Sequence, residues 1–375
     1  MASNRFKIGI FASNCSGGIA CTTVPERWEP TWENNLEIAQ MADDANLEFM
    51  LPLGRWAGYG GETDHNGTSF ETLTWASGLL AATQNIMAFS TLHVALVHPV
   101  FAAKQMVTAD HIGKGRFGLN IVCGWNADEF NMFGIGLEKH DRRYDLGQEW
   151  LEIVQRIWSE DKPFDFKGEF FQLENVRAQP RPISTPRPIV MNAGQSGTGL
   201  EFAVRNADYL FRAIQTADGA AKDLARVKSE TSALGRDVGV FTNCYVVCRP
   251  TDKEAHDYHQ YYAVEHADEV AVETIFSGRG IKDDPGLSDE IKANIRLRIA
   301  AGNSAYGIIG NPDDVAAQLK SLSEWGFSGI AMGLVLHGPD RMGEVLTFPG
   351  TDGKTYEARI VDPVFYDPKG EKQNV

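Results

Sequence analysis

The sequence has few cysteines, no long apolar run and no excess of positive charge. Its five cysteines are spread over 375 residues without a CxxC pair, which argues against a disulfide framework and favours buried thiols in a reducing compartment. No apolar run reaches the roughly 20 residues that a membrane-spanning helix needs. The N-terminus leads into a strand-like segment and lacks the apolar core of a signal peptide. These absences predict a cytoplasmic protein that is not held in a membrane.

The charge balance excludes another class of partner. The chain carries 35 Lys and Arg against 50 Asp and Glu, a formal net charge of −15. A surface this acidic repels phosphate backbones and anionic lipid surfaces. We therefore expect a small-molecule ligand and no nucleic-acid partner.

Several common catalytic and nucleotide-binding motifs are missing as well. No GxGxxG follows the first strand-like run and no Walker A sequence occurs. The run Gly194–Thr198 resembles a nucleophile elbow, but Thr198 stands where the second glycine is needed. His256, His259 and His266 are close in sequence, yet a zinc site needs a further ligand and an inward-facing arrangement. A solvated helix face explains these histidines better, so we expect no metal.

Apolar strand-like runs alternate with helical patterns along the whole chain. The clearest helix places apolar residues at a 3.6-residue spacing between Leu146 and Trp158. Eight strands with intervening helices favour a parallel (β/α)₈ barrel, the TIM barrel, over an open sheet. We predict a single barrel domain over residues 1–375. The predicted strands are Phe6–Phe11, Leu47–Leu51, Ile86–Leu92, Phe117–Val122, Ile189–Asn192, Tyr209–Arg212, Val238–Val247 and Gly329–Leu334.

Three stretches interrupt this alternation. Phe164–Val176 predicts a β-hairpin that turns at Lys167 and Gly168. Asp268–Ala301 is polar and long, which makes it a candidate insertion or lid over a barrel mouth. Residues 347–375 are expected to form a C-terminal tail on the outside.

Polar residues at predicted strand ends mark the candidate site, because barrels carry their active sites at the carboxyl ends of the strands. Asn120 lies within an apolar strand, so its amide needs a polar ligand, a water or a backbone partner. The short loop Gly194–Ser196 opens a predicted helix and would present free N–H groups to a phosphate. An ordinary N-cap by Ser196 or Thr198 explains that loop equally well.

At this point a resemblance to a known family becomes specific. The chain resembles the bacterial luciferase-like flavin monooxygenases, and most closely their pyrimidine and dimethylsulfone monooxygenases. The similarity is dense over roughly residues 5–215, and its motifs follow one another in the family's order. They are AKQ at 103–105, TAD at 108–110, GRFGLNIVCGW at 115–125, DRRY at 141–144, FKGEFF at 166–171, AGQS at 193–196 and GNPDDVA at 310–316.

The resemblance implies a flavin site and an oxygen pocket. Arg143, Tyr144 and Ser196 would clamp the phosphate of FMN, and Asn120 would bond the isoalloxazine ring. The flavin-contacting positions implied by the family are Gly54, Arg55, Asn120, Glu129, Arg143, Tyr144, Gln195 and Ser196. The residues implied to line a small dioxygen pocket are Leu51, Thr91, Asn120, Val122 and Trp125.

The implied chemistry is a two-component monooxygenation. Reduced FMN would come from a separate NAD(P)H-dependent flavin reductase and would react with O₂ to give a flavin peroxide that attacks a carbon–heteroatom centre. Thr91 and the 193–199 loop favour a pyrimidine-like substrate, whereas Arg55 resembles the sulfone side of the family. A sulfone or alkanesulfonate monooxygenase, a deazaflavin-dependent dehydrogenase and an accessory barrel without turnover are the alternatives. We expect a homodimer or homotetramer.

Overall fold

The computed structural model describes residues 6–195, 197–214, 216–334, 345–349 and 355–359. Eight parallel strands in this part of the chain close into a barrel, as the alternation predicts. All eight predicted strands are confirmed to within two residues at each end. The barrel strands are β1 (Lys7–Phe11), β2 (Phe49–Leu51), β3 (Met87–His93), β4 (Phe117–Val122), β7 (Ile189–Asn192), β8 (Tyr209–Phe211), β9 (Gly239–Cys248) and β11 (Gly329–Leu334).

The barrel closes through neighbouring strands in chain order. β1 pairs with β2, and the ladder continues through β3, β4, β7 and β8 to β9. β11 then pairs with both β9 and β1, which leaves no free edge among these eight strands. In this register Thr91 of β3 lies beside Asn120 of β4. The two polar residues that sequence reasoning singled out are therefore direct neighbours on the barrel wall.

Helices surround the barrel, and local sequence sets their limits. Asn311 caps the last of them through its side chain, Pro312 follows at the first helical position, and Gly326 ends it in the left-handed conformation at φ 110°. The helices are α1 (Trp32–Asp44), α2 (Thr72–Ala82), α3 (Pro99–Ile112), α4 (Ala127–Met132), α5 (His140–Ser159), α6 (Gly197–Asn206), α7 (Ala217–Ala233), α8 (Asp252–Gln260), α9 (Glu269–Gly278), α10 (Asp289–Gly302), α11 (Pro312–Trp325) and a π-helical turn (Tyr261–Glu265).

Two apolar regions hold the barrel together. The strands' outward faces pack under the helices, where Trp150, Ile153 and Val154 of α5 are fully buried, as the predicted periodicity requires. The inward faces fill the barrel with aromatic and sulfur-containing side chains. The residues of this inner cluster are Phe49, Leu51, Met87, Phe89, Met191, Phe211, Phe241 and Ala331. The barrel is thus a packed core below its carboxyl-end mouth.

One additional strand was not predicted from the sequence. β10 (Tyr306–Gly310) pairs in parallel with the upper part of β9, from Cys244 to Cys248. The lower part of β9, from Gly239 to Phe241, pairs with β8 instead. β9 therefore has different neighbours along one of its edges.

The three interrupting segments have different outcomes. The predicted hairpin is confirmed as β5 (Phe164–Lys167) and β6 (Gln172–Val176). The stretch 268–301 contains α9 and α10, which pack on each other around Val272, Ile275 and Ile299; its role as a lid stays a prediction. Residues to 334 form one compact unit and residues 335–375 a second one. In the second, β12 (Val345–Pro349) and β13 (Thr355–Arg359) are antiparallel, and most of the predicted tail lies outside the described residues.

Among the described helices, none is both long enough and apolar enough to cross a membrane.

Candidate active site

The inner face of the barrel changes from apolar to polar toward the carboxyl ends of the strands. On β3, Met87 and Phe89 belong to the apolar interior, while Thr91 and His93 follow on the same face. On β4 the corresponding inward residue is Asn120, which is 8% exposed. Successive inward positions are two residues apart in a strand, so the apolar filling ends one layer below these three polar side chains.

A short hydrogen-bond chain fixes the amide of Asn120. The Thr91 hydroxyl donates to the Pro52 carbonyl oxygen at 2.6 Å. Because that hydroxyl has only one proton, Thr91 Oγ1 accepts from Asn120 Nδ2, at 3.1 Å. Asn120 Oδ1 is then left buried with no partner among the described residues. The strand wall thus presents an oriented, unsatisfied acceptor to the barrel mouth.

The loop after β2 brings a buried ion pair to the same mouth. Arg55 Nη1 lies 3.4 Å from Glu129 Oε1, and both side chains are almost fully buried. The same carboxylate oxygen accepts from the backbone N–H groups of Trp56 at 3.0 Å and Ala57 at 3.3 Å. Glu129 lies in α4, just after β4, so this contact joins the loops that follow β2 and β4.

Two aromatic rings lie beside the guanidinium of Arg55. Its central carbon is 4.3 Å from the centre of the Tyr59 ring and 5.4 Å from that of Trp125. Only Nη2 donates a clear hydrogen bond, to the Ala57 carbonyl, whereas Nε and Nη1 have none among the described residues. A buried cation with free donors suits an anionic or carbonyl-bearing ligand.

The loop that carries Arg55 is fixed at both ends. Asn14, in the loop after β1, donates to the Leu53 carbonyl at 2.8 Å and accepts from the Leu53 N–H at 2.8 Å. Further along, the Asp268 carboxylate accepts from the backbone N–H of Thr63 at 2.9 Å and from its hydroxyl at 2.8 Å. The pKa of Asp268 is lowered: burial by itself raises it, but the hydrogen bonds from Thr63, together with the backbone N–H groups of Ala271 and Glu62, outweigh that effect. Asp268 is therefore an ionised anchor between this loop and the start of α9.

A second part of the mouth is suited to an anion. The first turns of α5 and α6 lie side by side, joined by the Thr198 hydroxyl donating to Asp141 at 2.8 Å. Helix N-termini present free N–H groups and a partial positive charge. Arg143, in the first turn of α5, donates through Nη1 to the Gly124 carbonyl, and its buried Nε has no partner among the described residues. Arg143 is therefore held next to the end of β4 with one donor unused.

The loop between β7 and α6 is built to approach other backbone closely. Asn192 donates to the Ile121 carbonyl at 2.7 Å and accepts from the Gly194 N–H at 2.8 Å, which fixes this loop against β4. A side chain at Gly194 would collide with the carbonyl of Gly199. The loop position therefore requires glycine.

The structure brings most of the predicted site residues to one mouth. Leu51 is buried at the end of β2, Val122 ends β4, Gly54 lies over β3, and Tyr144 packs on Phe202 beside Arg143. Trp125 is on the rim and is 54% exposed. The side chain of Gln195 is exposed, and Ser196 lies outside the described residues. Their roles as flavin or oxygen contacts stay predictions.

Sequence reasoning missed one polar residue in this region. His93 ends β3 on the same inward face as Thr91 and is 5% exposed. The predicted third strand ended one residue earlier, at Leu92, so the histidine was not assigned to the wall. The alternation of inward positions after Thr91 is the signal that could have found it.

Comparisons with known proteins identify the family and support the barrel fold. The sequence model of the luciferase-like monooxygenase family matches residues 6–329. Pyrimidine monooxygenase RutA of Acinetobacter baylyi is 32% identical over 324 residues, covering 85% of this chain and 86% of the relative. RutA of an Escherichia coli strain is 34% identical over 271 residues, covering 71% and 74%.

Two solved structures share the fold. Riboflavin lyase RcaE, crystallised with modified FMN and riboflavin, superposes with a TM-score of 0.79 at 20% identity, over 90% of this chain and 88% of that one. DmoA of Hyphomicrobium sulfonivorans gives a TM-score of 0.76 at 17% identity, over 88% and 84%. At identities this low, the likeness to these two structures shows that the barrel fold is shared and no more.

Proposed function

The chain belongs to the luciferase-like monooxygenase family and is a flavin-dependent oxidoreductase, and on that premise we propose its cofactor, partner and substrate class. The cofactor is reduced FMN, a separate reductase supplies it, and the substrate is a small heterocycle with an amide group, of the pyrimidine kind. One observation carries this proposal. Three polar side chains with buried, unused hydrogen-bonding atoms lie at the mouth: Arg55 in the loop after β2, Asn120 on β4, and Arg143 in α5 beside the end of β4.

The residues present fit FMN in two parts. A phosphate dianion matches Arg143 and the adjoining N-termini of α5 and α6, because oriented N–H groups and a guanidinium stabilise its charge. A flat ring system with carbonyl and N–H groups matches Asn120 and the donors of Arg55. Tyr144, Gln195 and Ser196 complete the phosphate end of this proposal, and Gly54 and Glu129 the ring end.

Bound reduced FMN would supply the electrons for oxygen activation, and the chain supplies position and exclusion of water. Thr91 holds the amide of Asn120 in one orientation through the contact to Pro52. Leu51, buried at the end of β2, and Val122, at the end of β4, add apolar surface to the same mouth. We propose that Thr91 and Asn120 orient dioxygen there, while the apolar side chains and Trp125 keep water from the reacting atoms.

The separate reductase follows from what the chain does not carry. No dinucleotide-binding fingerprint follows the first strand in the sequence. We therefore propose transient delivery of reduced flavin by an NAD(P)H-dependent reductase. As a separate proposal, this chain forms a homodimer or homotetramer.

The substrate class is supported by the relatives named pyrimidine monooxygenase and by the free acceptor at Asn120. A cyclic amide offers both a donor and an acceptor, which Asn120 Oδ1 and Arg55 can satisfy together. Sulfone and sulfonate oxygens only accept, so they offer no donor to Asn120 Oδ1. A sulfone remains the alternative substrate because of Arg55.

The phosphate site is tested by comparing FMN with riboflavin. Arg143→Ala should weaken reduced FMN by about 1–3 kcal/mol, the value of a charge-assisted contact, and riboflavin much less. Arg142→Ala is the matched control, because Arg142 is exposed on the same helical turn and pairs with Glu169. Anaerobic titration monitored by flavin fluorescence measures both. Equal losses for the two flavins would place the phosphate elsewhere.

Turnover is tested with reduced FMN, oxygen and a panel of uracil, thymine and dimethyl sulfone. Oxygen-dependent oxidation of a pyrimidine supports the proposal, and oxidation of the sulfone alone transfers it to the alternative class. Oxygen-independent turnover with an oxidised deazaflavin as the hydride acceptor would overturn it. Size-exclusion chromatography with light scattering measures the oligomeric state.

A further inference from the structure

His93 is a buried histidine whose ring nitrogens make no hydrogen bond to the residues that the structure describes. It is the last residue of β3 and lies on the inward face, two positions after Thr91. Its ring meets the edge of Phe130, with centroids 6.3 Å apart and planes at 83°. Its ring nitrogens are not among the fully buried unpaired polar atoms of the described residues, which leaves them within reach of a ligand in the mouth. His93 therefore belongs to the ligand-facing part of the wall.

The loop after β2 passes directly over this imidazole. A Cβ at Gly54 would be 3.0 Å from His93 Cε1 and 3.2 Å from Thr91 Cγ2. Only a residue without a side chain allows the loop to come this close without a shift. Gly54 thereby leaves Arg55, the next residue, near the ring.

The ring is uncharged near neutral pH. Burial, and to a smaller extent the positive charge of Arg55, lower the pKa of His93 to about 4. Phe130 and Thr91, which pack against it, carry no charge, and the Glu129 carboxylate is engaged by Arg55 and by backbone N–H groups. A neutral imidazole offers one N–H donor and one acceptor nitrogen.

We propose that His93 determines substrate specificity by hydrogen-bonding the amide edge of the heterocycle, a role that rests on the function proposed above. An amide edge has one carbonyl acceptor next to one N–H donor, which is the complement of a neutral imidazole. Asn120 Oδ1, on the neighbouring strand, provides a further acceptor for a second N–H of a cyclic imide. Ligands that only accept hydrogen bonds satisfy part of this set, so amides are preferred over sulfones.

The test compares His93→Phe with His93→Gln. Phenylalanine keeps a flat ring in the space but removes both polar atoms, whereas glutamine keeps a donor and an acceptor. His98→Asn is the control, because His98 is exposed and caps α3 through its side chain, a role that asparagine also fills. Thermal unfolding first establishes that each variant is folded.

For uracil, His93→Phe should lower kcat/KM by about 10- to 100-fold, the size expected when one or two neutral hydrogen bonds are lost. Most of this loss should appear in KM, while FMN affinity changes less than about twofold. His93→Gln should recover most of it, and His98→Asn should match the wild type. For 1,3-dimethyluracil, which lacks N–H groups, the wild type and His93→Phe should differ much less.

Binding separates this inference from the proposed function. Equilibrium dialysis of uracil against the protein loaded with oxidised FMN measures the contact without turnover. Weaker uracil binding by His93→Phe supports the inference, even if the wild type does not oxidise uracil. Unchanged uracil binding, or equal losses for Phe and Gln, overturns it. Lack of FMN binding by the wild type overturns the proposed function instead.

Discussion

The lower layer of the barrel interior is apolar, whereas the upper layer contains buried polar groups without partners among the described residues. Below, Phe241 stacks on Phe49 with centroids 5.4 Å apart and on Tyr209 at 4.8 Å, and the surrounding apolar side chains have no polar group to satisfy. Above, Asn120 and Arg55 are buried with unused hydrogen-bonding atoms. Unmet polar groups lower stability, and natural proteins tolerate them where function needs them. The lower layer therefore stabilises the barrel, and the upper layer is arranged for a ligand.

The largest effect on stability is expected in the lower layer. Phe241→Ala removes the central ring of the stack and leaves a cavity, which should reduce the free energy of unfolding by about 4 kcal/mol. FMN affinity of the folded fraction should stay close to the wild-type value. Urea unfolding and flavin titration measure the two quantities. A small stability loss with a large loss of FMN affinity would reverse the roles of the layers.

Breaking the buried ion pair should come next. Glu129→Gln leaves the Arg55 guanidinium buried without a counter-charge, which should cost about 3 kcal/mol, and it also loosens the loop that Trp56 and Ala57 belong to. Asp128→Asn is the control, since Asp128 is exposed in the same turn of α4. Urea unfolding compares the two variants. If both lose equally little, Glu129 does not stabilise the upper layer.

Asp268→Asn should have a smaller and pH-dependent effect. Losing charge-assisted bonds to Thr63 should cost about 1–2 kcal/mol at neutral pH. Because the folded-state pKa of Asp268 lies below its unfolded value, this stabilisation is present above about pH 4. It is lost as the pH falls through the folded-state pKa.

The difference between wild type and Asp268→Asn should thus narrow below about pH 4. Unfolding curves at pH 3, 4, 5 and 7 provide the check. A difference that does not change with pH would show that the carboxylate acts through its shape alone.

The smallest stability effect is expected at Asn120. Asn120→Ala removes one hydrogen bond and one unmet acceptor together, so the free energy of unfolding should change by less than about 1 kcal/mol. Product formation should nevertheless fall sharply, with oxygen released as hydrogen peroxide. Comparing product with peroxide per flavin oxidised tests this. Unchanged coupling would remove Asn120 from the oxygen-binding role.

The barrel could be predicted from sequence because its signals are local. Eight apolar runs separated by helical periodicity are sufficient to indicate the fold, and the helix containing Trp150 shows that periodicity clearly. β10 was missed because Tyr306–Gly310 contains two glycines and follows a long polar stretch. Its pairing with β9 depends on a contact between residues some 60 positions apart in the chain, which no local pattern encodes.

The site was predicted less evenly than the fold. Asn120 could be found because an amide within an apolar strand is conspicuous. The orientation of that amide could not, since it depends on Pro52 and Thr91 from two other segments. From the sequence alone, His93 could not be distinguished from other residues near a strand end. The structure extends β3 to His93, which places it on the same face as Thr91.

One edge of β9 is shared between β8 and β10, which affects where the sequence can gain or lose residues during evolution. The excursion between β9 and β10 leaves at Cys248 and returns at Tyr306, which pairs with Cys244. Barrel closure uses β9 from Gly239 to Phe241 against β8 on one edge, and from Phe241 to Val246 against β11 on the other. The excursion can therefore lengthen or shorten over evolutionary time without altering strand number or tilt. Such a change would alter this side of the mouth while the barrel itself is left unchanged.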